Sequence, residues 1–259
     1  MLVAQLIAAV HRLAPPELAE EWDNVGLAVG RHNHPVRRVL VALELRDEVL
    51  DEARDLACEA VVTHHPPIFP SLTTGSDHGV PGELVLRAAE ARVAGVAAHT
   101  NLDAARGGLN DLMAEAIGMS GTSPLVQSGA DPGAGLGRIG GVAETTVQDV
   151  AARAGAAFET RTVFSGDPFG RVRRAACCTG SGASLLAEAR TGGADVYVTS
   201  DLKYHDADRA AGMALVDLPH ASVERAVLKR WARGLERVLA DEGVETRFAA
   251  VDTDPWQVG

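Results

Sequence analysis

Two adjacent histidines close an apolar run, Val61-Val62-Thr63-His64-His65-Pro66-Pro67. Neighbouring side chains on a strand point to opposite faces, so one ion is rarely gripped by both without a bend. At a strand end stopped by two prolines, both rings can swing into one cavity and each can take its own metal. Two more pairs supply further donors: His99 with Asp103, and His220 with Glu224. His220 and Glu224 stand four apart at a helix start, so both side chains reach one site. Imidazole nitrogens with carboxylates suit zinc, iron, manganese or cobalt, whereas calcium and magnesium prefer all-oxygen sites. Two such ions about 3.5–4 Å apart hold a bridging water and acidify it to hydroxide near neutral pH. The chemistry is then metal-dependent hydrolysis.

Each pair also has a plain structural use. Glu224 complements the dipole of a first helical turn, and His220 is a satisfied histidine at a strand end. Asp103, near Gly107-Gly108, caps the following helix. Adjacent imidazoles before Pro-Pro have no common structural use, so His64-His65 carries the most weight.

The elements that must position these side chains alternate. Strands are expected over 36–45, 60–63 and 93–98, with helices over 47–58, 81–92 and 108–117. An amphipathic helix, built on Leu2, Leu6, Val10 and Leu13, precedes them and ends at Pro15-Pro16. Alternation implies an α/β class with a largely parallel, covered sheet. His64, His65, His99 and Asp103 all follow strand ends, where open α/β sheets place their sites. The Gly-, Ser- and Pro-rich segment 119–137 reads as a linker or long loop. Beyond it, strands are expected over 138–143, 158–164, 173–179, 195–199, 214–218 and 245–251. Helices are expected over 146–154, 184–190 and 223–239. Two α/β lobes result, 1–124 with 219–259 and 125–218.

Bulk properties narrow the function. The chain has 259 residues and a formal charge of −11, which disfavours non-specific binding to nucleic acid or anionic membranes. Cys58, Cys177 and Cys178 form no C-x-x-C pair, so core thiols in a reducing cytoplasm are expected. No stretch reaches membrane-spanning length.

Three less specific features remain. Trp22-Asp23-Asn24-Val25-Gly26-Leu27 is a substrate-facing loop or an ordinary turn. Thr179-Gly180-Ser181-Gly182 is a phosphate cradle or a tight turn. Asp201, Lys203, Tyr204 and His205 form a polar cluster in which His205 is a proton carrier or a surface-helix cap.

Taken together, these blocks resemble the NIF-three-like dinuclear-metal-centre hexameric family, some members of which are labelled GTP cyclohydrolase type 2 homologue. The resemblance runs almost end to end. It covers Trp22 through Leu27, Thr63-His64-His65-Pro66, His99 through Asp103, Gly180-Ser181-Gly182, Asp195 through Thr199, His220 through Glu224, and Asp252-Thr253-Asp254-Pro255. It implies that His64, His65, Asp103, His220 and Glu224 hold two divalent transition ions, with Glu224 bridging. His99 then stands behind a ligand or a metal-held water, with His99 and His205 as candidate proton shuttles. It also implies two α/β lobes with the metal site in the cleft between them, and six subunits in a toroid. Without an inserted domain, the chain looks like the short form. Pro219 stands where relatives have Gly, Ser200 interrupts Thr-Gly-Asp, and Pro67 replaces Leu. The leading expectation is a hydrolase acting on a small molecule, a nucleotide or a cyclic amidine-like ring. The alternative is a non-catalytic metal-storage, delivery or regulatory scaffold. A metal-free nucleotide-binding module ranks last because it leaves His64-His65 unexplained.

Overall fold

The computed structural model describes residues 1–69, 72, 74–77, 79–129 and 131–256. It divides into two compact units, Met1–Leu102 with Leu228–Gly259, and Asp103–Val227.

The first unit is built on strands too apolar to face water. Ala60–Thr63 and Ala94–Ala97 are buried throughout, and Arg38–Ala42 is buried after its first residue. Such continuous burial belongs to a sheet covered on both faces. The five-stranded order is Gly26–Val29, Ala94–Ala97, Ala60–Thr63, Arg38–Ala42, Glu245–Phe248. The last four run parallel, and Gly26–Val29 adds an antiparallel edge. Leu40 and Val61 pack with Val49, Leu50 and Leu84 from the helices Asp47–Asp55 and Val80–Glu90. Leu6 and Val10 of the helix Val3–Leu13 are fully buried, as are Leu235 and Leu239 of His220–Ala240.

The second unit has a six-stranded sheet. Its order is Met119–Ser123, Arg138–Thr146, Arg171–Ser181, Val196–Ser200, Ala214–Leu218, Val163–Ser165. The three strands from Arg171–Ser181 to Ala214–Leu218 are parallel, and the flanking pairs are antiparallel. Ala176, Tyr197 and Leu215 pack with Leu186 and Ile139 in its core. The helix Val147–Ala157 starts where Thr146 accepts from the Asp149 amide at 3.2 Å, a side-chain cap on an otherwise orphaned donor.

Several expected elements change. Segment 119–137 is not a bare linker: Met119–Ser123 pairs with Arg138–Thr146, and Val126–Gln127 pairs with Gly135–Leu136. Arg138 is buried and donates to the Gly135 and Gly137 carbonyls at 2.7 and 2.8 Å, which ties the glycine-rich stretch to the sheet. Ala130 lies outside the described residues. The strand expected over 158–164 shrinks to Val163–Ser165, because Glu159 takes a left-handed conformation at φ 53°. Gly26–Val29 is a strand within what read as loop. The second sheet is therefore mixed, while the first is largely parallel, as expected for its alternating strands and helices. Among the described residues, no helix is long and apolar enough to cross a membrane.

Candidate metal centre

In the first unit the chain delivers three histidines to one place. After Ala60–Thr63 ends, the His64 and His65 amides still donate to Ala42 and Leu43 at 3.3 and 2.9 Å. The pairing fixes the backbone while Pro66-Pro67 stop the ladder. The His64 and His65 rings then converge, with centroids 5.1 Å apart. His99 follows Ala94–Ala97 on the neighbouring strand, 5.1 Å from His64 and 5.7 Å from His65. One ring nitrogen from each of the three lies within 4.8 Å of the others.

Each of these rings is oriented through Nδ1. His64, fully buried, donates from Nδ1 to the Ala98 carbonyl at 3.0 Å. His65 donates from Nδ1 to Glu44 Oε1 at 3.2 Å. His99 donates from Nδ1 to Asp23 Oδ1 at 2.9 Å. With Nδ1–H committed to an acceptor, the lone pair of each neutral ring sits on Nε2. Glu44 is also held by Arg46. Burial pushes its carboxyl up, but the His65 and Arg46 hydrogen bonds outweigh that and lower its pKa. Asp23 accepts from the Thr100 amide at 3.0 Å and from the Thr100 hydroxyl. Burial opposes its ionisation as well, and bonds from His99 and Thr100 bring its pKa well below the carboxylate range.

The second unit prepares two carboxylates and one more histidine. Asp103, in the short helix Thr100–Ala104, accepts from Thr179 Oγ1 at 2.9 Å. Asn110, buried, donates to the Asp103 carbonyl at 3.1 Å and accepts from the Thr179 amide at 2.9 Å. His220 is the first residue of His220–Ala240, three residues before the expected start. Its Nδ1 lies 2.7 Å from Asp201 Oδ2, and its Nε2 lies 2.9 Å from Glu224 Oε2. Burial pulls the His220 pKa down, but Glu224 and Asp201 together raise it to about 9. The ring thus lies between two carboxylates.

Gly180 explains how the buried Glu224 fits. At φ +65°, with no side chain, it leaves a space in which a Cβ would lie 2.6 Å from Glu224 Oε1. Gly180 and Gly182 also accept from Thr199 Oγ1 and Tyr197 Oη at 3.1 and 2.9 Å. Gly180 and Ser181 end the strand Arg171–Ser181 and Gly182 follows it, so close packing is what the two glycines supply. His205 lies on the helix Tyr204–Arg209, 85 % exposed and 3.6 Å from Asp208. The three cysteines are free and buried, and burial pushes the Cys177 thiol up to about 12, so they are core thiols.

These donors fit a divalent transition ion. Four imidazoles present Nδ1 to a carbonyl or carboxylate, the arrangement that orients metal-binding histidines through their far nitrogen. A glycine cradle keeps room beside a buried glutamate. Asp23, Glu44, Asn110, Thr179 and Asp201 carry this support. Of them Asp23, Thr179 and Asp201 drew attention in the sequence, none for this role, and Glu44 and Asn110 did not.

Comparison with known proteins gives the family and the fold. The family model for Duf34/NIF3 (NGG1p interacting factor 3) matches residues 1–255. A Streptomyces coelicolor protein named GTP cyclohydrolase 1 type 2 homolog is 34% identical over 98% of this chain and 93% of its own. A Clostridium perfringens protein of the same name is 29% identical over 99% of each. Among solved structures, Staphylococcus aureus hypothetical protein SA1388 is 27% identical, with a TM-score of 0.92, covering 100% of this chain and 99% of its own. Reduced HcgD from Methanocaldococcus jannaschii is 26% identical, with a TM-score of 0.80, covering 97% and 98%.

Proposed function

Because the chain belongs to the Duf34/NIF3 family, we propose that it is a dinuclear metal-dependent hydrolase. His64, His65, Asp103, His220 and Glu224 would hold two divalent ions, with Glu224 shared between them. The observation that carries this is the uniform commitment of Nδ1 to an acceptor in His64, His65 and His220. Such outer partners fix the tautomer and raise the basicity of a ligating imidazole. When bound, a pair of such ions acidifies water and stabilises negative charge developing on a substrate oxygen.

The protein's own groups do the rest. Thr179 and Asn110 hold Asp103 in place, and Asp201 fixes the His220 ring. His99, backed by Asp23, keeps an Nε2 lone pair for a proton. His205, exposed beside Asp208, would be the second proton carrier. The names of the relatives support a nucleotide or cyclic amidine-like substrate. The proposal includes a cytoplasmic homohexamer, on the family resemblance alone.

The test is a substrate panel of nucleotides, phosphoesters and cyclic amidines, offered to metal-loaded and metal-stripped protein. Hydrolysis that appears only with metal is expected. Silence across the panel from fully loaded protein would contradict the hydrolase and favour a storage scaffold.

A further inference from the structure

We propose that Trp22 and Phe69 form a stacking wall for the flat aromatic ring of a substrate, a nucleobase-like heterocycle, beside the histidine group. The inference deepens the metal-site reading and rests on it.

Trp22 is 59 % exposed and Phe69 51 %. One exposed aromatic needs no explanation, but these two meet. Their rings stand edge to face, with centroids 5.8 Å apart at 68°. Each also meets His99 edge to face, at 6.2 and 6.4 Å. The aromatic pair is therefore one ring away from His64 and His65, so a ligand that covers it also reaches the metal donors.

The wall is fixed in advance. Asp23, next to Trp22, accepts from the Thr100 amide and from His99 Nδ1. Asn24 Nδ2 donates to the Ile68 carbonyl at 2.8 Å, immediately before Phe69. Both loops are thus pinned to one another or to the site, which lowers the ordering cost of binding. The area offered is that of two rings, the scale of one heterocycle and far below a stable protein interface. An aromatic surface favours a flat π system and gives a bare sugar phosphate little.

The test uses Trp256→Phe protein, in which emission comes from Trp22 and the buried Trp231. Guanosine and thymidine are titrated against zinc-loaded and chelator-stripped samples, with ribose 5-phosphate as the ring-free probe and zinc measured by elemental analysis. Both nucleosides should quench emission while ribose 5-phosphate does not. Trp22→Ala or Phe69→Ala should weaken guanosine binding about fivefold or more by calorimetry, at unchanged zinc content. Trp22→Phe should restore most of the affinity. Equal affinity in the alanine variants, quenching by ribose 5-phosphate alone, or emission that follows only protein concentration would overturn the wall. The last result would mean that a second copy covers it. Protein that takes up no zinc yet binds guanosine through Trp22 would overturn the metal centre while supporting the wall.

Discussion

His64, His65, His99 and His220 each direct Nδ1 to an oxygen supplied by another part of the chain. That habit turns four scattered histidines into oriented donors. His220 is the most heavily charged case, since Asp201 and Glu224 raise its pKa from 6.5 to about 9. A group whose folded pKa exceeds its unfolded value stabilises the fold fully below the unfolded pKa, and that stability disappears as pH rises through the folded one. Metal-free protein should therefore lose stability between pH 6.5 and about 9, by on the order of 1–3 kcal/mol. Urea unfolding across that window checks it. Asp201→Asn should flatten the profile, and an unchanged slope would remove Asp201 from the account.

Strand ends do the positioning at the next scale. His64-His65 and His99 follow adjacent parallel strands, and His220 opens a helix directly after Ala214–Leu218. Gly180 makes room for Glu224 at the end of Arg171–Ser181. Gly180→Ala forces a Cβ into a left-handed residue, at about 1–2 kcal/mol, and drives it against the carboxylate. We expect a lower urea midpoint together with reduced zinc content. A variant as stable and as metal-rich as the parent would contradict the cradle. The candidate donors were legible because adjacent histidines before Pro66-Pro67 have no common structural use, and their pattern is local in the sequence. Their supports were not, because Asp23 reaches His99 across 76 positions and Asp103 meets Thr179 across another 76. Sequence periodicity also missed Met119–Ser123, whose Ser, Gly and Thr residues are exposed on an edge strand and show no apolar alternation.

Over the whole molecule, each compact unit prepares its own donors: three imidazoles in one, and Asp103, His220 and Glu224 in the other. The proposed centre needs both sets. Elemental analysis of protein saturated with zinc and then dialysed tests that most directly. The account predicts two zinc ions per chain, with His65→Ala and Glu224→Gln each losing metal while the circular dichroism spectrum stays that of the parent. Two ions retained in either folded variant, or no zinc bound by the parent, would contradict it.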